Sequence, residues 1–214
     1  MLNLFVENFV LIFVAIDPIT ILPIFASFTQ ELNKKDLVTL CFRSTSTALA
    51  ILLLFWLFGS ALLQLMGITI NSFRIVGGLF LMVIAYQMVF EQRQKRREET
   101  AEEAMDDEEL SSLATFPLAI PLMAGPGAIT LIMLLSEKSG SSIENQIIGF
   151  SPVLIVLILN AISLWVSGKM AKRLPTSALS ALQRTFGLLL GALAIEFVIE
   201  GIRLSFNIAQ GESV

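Results

Sequence analysis

The stretch A-I-D-P-I-T-I-L-P, Ala15 to Pro23, places a carboxylate and two prolines inside a run otherwise apolar enough to cross a bilayer. Pro18 and Pro23 lack an N–H and clash with the preceding turn, so a helix entering this stretch breaks or kinks. In hydrocarbon the freed backbone groups need cover from protein or from a water-filled cavity. Asp17 is costly at that depth and is by default a candidate functional group. Half a chain later a second broken run appears, F-P-L-A-I-P-L-M-A-G-P-G-A-I-T, Phe116 to Thr130. The two runs read as one site. Its substrate-binding or coupling candidates are Asp17, Pro18, Thr20, Pro23, Gly125, Pro126, Gly127 and Thr130.

The rest of the chain supports a membrane setting. Of its 214 residues 55% are hydrophobic and only 15% charged, below the charged share of ordinary soluble domains, and the mean hydropathy is +0.80. Several apolar runs reach the roughly 20 residues that span a bilayer. Six spans are predicted: about Leu4 to Phe28, Leu37 to Met66, the run after the Gly67–Asn71 turn to near Phe90, Leu113 to Leu135, Gln146 to Met170 and Ser180 to Ser205. With no histidine and a single cysteine, Cys41, no internal disulfide forms and a His- or Cys-based metal site is not expected. No cofactor and no nucleic-acid partner is expected; the lipid bilayer is the surrounding partner.

If the spans alternate, one side of the membrane holds 11 of the 14 basic residues and the other holds 3. The positive-inside rule then puts both termini outside. The polar stretch Glu91 to Ser112 lies inside. That stretch carries nine acidic and four basic residues, net −5, leaving +1 for the remainder of a chain whose total is −4. It reads as a solvated cytoplasmic connector, with its basic start beside span three where anionic headgroups favour it.

Two anchors relate the halves. Asp17-Pro18 corresponds to Gly125-Pro126 at an offset of 108, and R-I-V-G-G-L (Arg74 to Leu79) to R-T-F-G-L-L (Arg184 to Leu189) at 110. A repeat of three spans enters the membrane from the opposite face on its second pass. The expected architecture is therefore all-α: six transmembrane helices as two inverted three-helix repeats, residues 1–90 and 113–214, joined by the linker 91–112. Helices 1 and 4 are broken, a recurring transporter design.

A helix interrupted at D-P or G-P-G exposes half-helix ends. N-terminal ends suit a carboxylate, and C-terminal ends a cation or ammonium. Asp17 can hold an ammonium or carry a proton, Thr20 and Thr130 supply hydroxyls, and a small zwitterion uses both kinds of end. Simpler readings stand beside these. Proline and glycine are common in membrane helices, so Pro23, Pro117 and Pro121 also read as packing kinks. Arg74 and Arg184 read as snorkelling or structural pairs, with Arg74 kept as a secondary candidate. Glu196, deep in span six, is a second proton-site candidate. Gly77, Gly78, Gly187 and Gly191 suit close helix contact.

Four motifs carry a family resemblance over nearly the whole chain: D-P-x-x-x-x-P from Asp17, F-R-I-V-G-G from Phe73, P-L-A-I-P-L-M-A-G-P-G-A-I from Pro117, and G-x-x-x-x-x-x-A-I-E-F from Gly187. The chain resembles the MarC family, six-span membrane proteins of bacteria and archaea grouped with SnatA-type neutral amino-acid transporters. Ile19, Thr20 and Ile21 stand where many members have glycine or asparagine. The resemblance implies a multi-pass protein of the prokaryotic plasma (inner) membrane. Its implied activity is secondary transport of small neutral amino acids such as glycine or alanine, with a proton or sodium ion as the candidate coupling ion. The alternatives are a channel-like pore and a MarC-type membrane protein without transport activity. An intramembrane enzyme is not expected, since the chain lacks the usual catalytic sets.

Overall fold

The computed structural model describes residues 2–18, 21–22, 25, 32–90, 92–93, 95–97, 99, 114–140, 142–170 and 176–206. Every long element among them is helical. In order they are α1 (Leu2–Ile16), α2 (Lys34–Leu65), α3 (Ile70–Val89), a kinked segment (Ala114–Met123), α4 (Pro126–Ser139), α5 (Ile143–Met170) and α6 (Thr176–Ser205). Helices α2, α3, α5 and α6 are each long and apolar enough to cross a membrane, and the kinked segment with α4 forms a bent fifth, turned by 57°. The first expected span is helical through Ile16; Thr20 and Pro23 lie outside the described residues.

Local chemistry sets the element ends. Asn33 caps α2 by accepting from the amides of Lys35 and Asp36 at 3.0 and 2.9 Å, satisfying donors that a helix start leaves open. Thr69 caps α3 in the same way. The kinked segment bends twice, where Phe116 (φ −127°, ψ 125°) and Ile120 (φ −125°, ψ 124°) are extended. Each precedes a proline, whose ring disfavours the helical region for its neighbour.

Contacts fix the directions. Helix α4 runs against α1: Glu7 pairs with Lys138 at one end, and Ala15 and Pro126 share a cavity wall at the other. Helices α4 and α5 are joined by a short turn and run oppositely, so α1 and α5 are parallel, with Asn8 Nδ2 donating to Gly149 O at 3.0 Å. Helix α3 also runs against α4, since Gly77 meets Thr130 while Gly127 meets Ile84 and Leu81. The α3–α6 seam is antiparallel and unusually close. A Cβ at Gly78 would lie 2.6 Å from Ala194 O, and one at Gly201 2.9 Å from Asn71 O. Small residues permit this approach, which dispersion rather than water exclusion must stabilise in lipid.

The core lies where α1, α2, the kinked segment, α4 and α5 converge, around Ile12, Ile16, Leu40, Leu52, Leu118, Leu131 and Val153. Large apolar side chains such as Leu57, Phe58, Val83, Ile158 and Trp165 point outward and are exposed. A bilayer solvates such a surface; water does not.

One expectation is corrected here. The described start of the connector is only partly solvated: Gln92, Lys95, Arg96 and Glu99 are exposed, but two of its arginines are not. Arg93 and Arg97 turn inward, and Arg97 is only 9% exposed. The reason is electrostatic: the carbonyl-rich end of α1 attracts cations more strongly than an exposed position would.

Candidate functional site

The site starts from the last turn of α1. The Asp17 amide donates to Phe13 O at 2.8 Å, the final bond of the helix. Pro18 cannot donate the next one, so the carbonyls beyond Phe13 lose their helical partners. Asp17 itself takes a left-handed conformation, φ 59°, and is the sole non-glycine with positive φ among the described residues. Asp tolerates this region better than most residues, at a cost of about 1–2 kcal/mol.

Two arginines some 80 positions away in sequence supply what the break removes. Arg93 Nη2 donates to Ala15 O, and its Nη1 lies 3.1 Å from Met88 Sδ. Arg97 Nη2 donates to Ile16 O at 3.2 Å. Arg97 Nη1 stands 3.8 Å from Asp17 Oδ2, an ion pair in which Asp17 is almost wholly buried. That Nη1 makes no hydrogen bond. Burial weakens the protonated form of both guanidiniums; for Arg97 the Arg93 charge adds to this, and in both the Asp17 charge opposes it.

The second break faces the first across a cavity of about 420 Å³. Gly125, Pro126 and Gly127 form one wall, where α4 begins with Pro126 in its first turn. Proline suits that position because its missing N–H has no helical partner to serve. Gly125 is required by closeness, since a Cβ there would stand 2.5 Å from Pro121 O. Arg93, Arg96 and Arg97 form the other wall, with Ala15 and Gln87 beside them. The C-terminal end of α1 and the N-terminal end of α4 therefore address one space. Asp17 lies behind Arg97 and off the wall itself.

The structure thus places Gly125, Pro126 and Gly127 on one cavity with Arg97, which links them to Asp17 beside Pro18. Thr130 is buried one turn deeper and packs on Gly77 rather than on the cavity. Arg74 pairs with Glu200 at 3.6 Å, between α3 and α6, remote from both breaks. Glu196 is on the exposed face of α6. The three arginines are what sequence reasoning assigned elsewhere. Their spacing, Arg93, Arg96 and Arg97, is that of one helical face, a signal consistent with inward capping as much as with headgroup contact.

Helices long enough to span a bilayer, together with two breaks that confront each other across a charged cavity, define a multi-pass membrane protein with an internal polar site. The family model described as MarC family integral membrane protein matches residues 2–206. The chain belongs to that family. It is 34% identical over 206 residues to a UPF0056 membrane protein of Methanocaldococcus jannaschii, covering 96% of this chain and 90% of that protein. It is 33% identical over 208 residues to the UPF0056 membrane protein YhcE of Escherichia coli K12, covering 91% and 90%. A UPF0056 membrane protein of Aquifex aeolicus is 27% identical over 202 residues, covering 94% and 92%. Relatives therefore occur in bacteria and archaea. No solved structure matches the chain.

Proposed function

We propose that this protein is a secondary transporter of small neutral amino acids, such as glycine or alanine, in the inner membrane of a prokaryote. The observation that carries the reading is the buried Asp17–Arg97 pair at the edge of the cavity between opposite helix ends. A zwitterion can insert into such a pair. Its carboxylate takes Arg97 and the α4 N-terminus, its ammonium takes Asp17, and one ion pair becomes two. A solute of single charge would leave one partner buried and uncompensated, which is strongly unfavourable. The pair's 3.8 Å separation and the unbonded Arg97 Nη1 favour exchange over permanent closure.

Inverted three-helix repeats belong to the same reading. Under that symmetry α1 corresponds to the kinked segment, α2 to α5 and α3 to α6. The packing of α1 on α5 and of the kinked segment on α2 is the pair of equivalent contacts the symmetry requires. The cytoplasmic placement of the connector rests on the 11-to-3 distribution of basic residues.

The test is uptake of radiolabelled alanine and glycine into proteoliposomes holding the purified protein, under an imposed proton or sodium gradient. Saturable, gradient-driven uptake is expected. Non-saturating flux would make the protein a channel, and no flux above empty liposomes would make it a family member without transport activity.

A further inference from the structure

Among the described residues, seven buried side-chain polar atoms have no hydrogen-bond partner: Asn8 Oδ1, Thr45 Oγ1, Arg97 Nη1, and both amide atoms of Asn160 and Gln183. Such atoms are rare in folded proteins and each calls for an explanation. In a membrane no water relieves them, so the cost is larger.

The Asn160 amide can be located from the contacts between helices. Helices α1 and α5 are parallel and joined by the Asn8–Gly149 bond. From there Asp17 is nine residues along α1, about 14 Å, and Asn160 is eleven along α5, about 16 Å. Asn160 therefore stands at the level of the Asp17-Pro18 break. Its face is known too: Gly149, Val153, Val156, Asn160 and Leu164 share the spacing of one helical stripe. Asn160, Val153, Val156 and Leu164 are all fully buried.

Helix α2 places Thr45 on the same side. A Cβ at Gly149 would lie 3.1 Å from Trp56 Cη2. Thr45 is eleven residues before Trp56 on α2, as Asn160 is eleven after Gly149 on the antiparallel α5. Eleven residues are close to three full turns, so both side chains face the seam that Trp56 and Gly149 close. No residue of α2 or α5 lines the arginine cavity. The seam therefore reaches the break from the other side.

We propose that Asn160, with Thr45, is a second hydrogen-bonding station for the transported solute, on the α2–α5 side of the α1 break. A carboxamide with both atoms free offers Oδ1 to an ammonium and Nδ2 to a carboxylate, so it reads the main chain of an α-amino acid and ignores its side chain. The Thr45 hydroxyl accepts a further ammonium hydrogen. This rests on the transport reading, and the test separates the two.

Asn160→Leu removes an amide that has no protein partner. In purified protein its Tm is expected to equal or exceed that of the wild type. In proteoliposomes the KM for alanine should rise about tenfold, the loss of one or two hydrogen bonds, and Asn160→Gln should recover part of it. A clear fall in Tm, or an unchanged KM beside an active wild type, overturns the station. If the wild type moves no amino acid, the transport reading fails, and accessibility decides about Asn160 on its own. Asn160→Cys, in a Cys41→Ala background, should react with a charged methanethiosulfonate reagent applied to both faces of membrane vesicles. Ile158→Cys, on the outward face of the same helix, should not. An Asn160→Cys as inert as Ile158→Cys removes the proposal.

Discussion

Asp17 combines three demands in one residue: positive φ, near-complete burial and a position before proline. Asn accepts the left-handed region as readily as Asp, whereas Ala does not. Asp17→Asn therefore removes charge while sparing the backbone, and Asp17→Ala does both kinds of damage. We expect Asp17→Asn to insert and purify but to lose or uncouple amino-acid uptake in proteoliposomes. Arg97 faces Asp17, whereas Arg74 pairs with Glu200. Arg97→Gln alone removes one buried cationic partner of the Asp17 carboxylate and should lower stability by about 3 kcal/mol, read as a lower Tm. The double variant Asp17→Asn with Arg97→Gln should recover much of that loss, because coupled neighbours are non-additive. Additive losses would show that the two do not act as a pair. Glu196→Gln, on an exposed helix face, should leave uptake near the wild-type rate.

At the scale of elements, the α3–α6 seam gives the sharpest test. Gly78→Ala would drive a Cβ into Ala194 O and Val198 N, at 2.6 and 3.1 Å. Backbone cannot step aside as a side chain can, so a loss of about 1–3 kcal/mol is expected. Gly191→Ala meets only Ala85 Cβ, at 3.5 Å. It should be neutral or stabilising by up to about 1 kcal/mol, since alanine loses less backbone entropy in a helix. Thermal unfolding of the two purified variants checks the contrast; equal effects would mean that the seam is not closely packed.

This pattern also marks what sequence conveys. The long helices, the breaks at Asp17-Pro18 and Gly125-Pro126, and the packing glycines were legible, because periodicity, hydropathy and proline stereochemistry are local. The packing of Thr130 on Gly77 was not legible, because its depth in the span says nothing about which neighbour it faces. The arginines were harder. Hydropathy assigns Glu91 to Ser112 to one polar connector, and a guanidinium that caps a carbonyl 81 positions away, as Arg97 does on Ile16, leaves no local trace. Asn160 was passed over for the opposite reason: one polar residue in an apolar stripe is read as incidental until its partners are sought.

Taken whole, the molecule has opposed ends that labelling can distinguish. Lys95 and Ser142 are both exposed, and the basic-residue distribution assigns them to opposite sides of the membrane. Lys95→Cys and Ser142→Cys, each in a Cys41→Ala background, should differ in intact cells, with Ser142→Cys alone reacting with an impermeant maleimide. Labelling of both, or of Lys95→Cys alone, reverses or removes the assigned orientation.

The Asp17–Arg97 pair has an electrical consequence. Moving one elementary charge through a membrane potential costs about 2.3 kcal/mol per 100 mV. A carboxylate and a guanidinium that travel together cancel, so under the transport reading this pair adds nothing to the charge displaced when the empty protein reorients. A zwitterion seated between them adds nothing either. Any steady current drawn by alanine across a planar bilayer then counts coupling ions alone, and its ratio to the tracer flux gives their number. The Arg97→Gln variant removes one positive charge from the group formed by Asp17, Arg93 and Arg97, and the voltage dependence of the same reorientation should change.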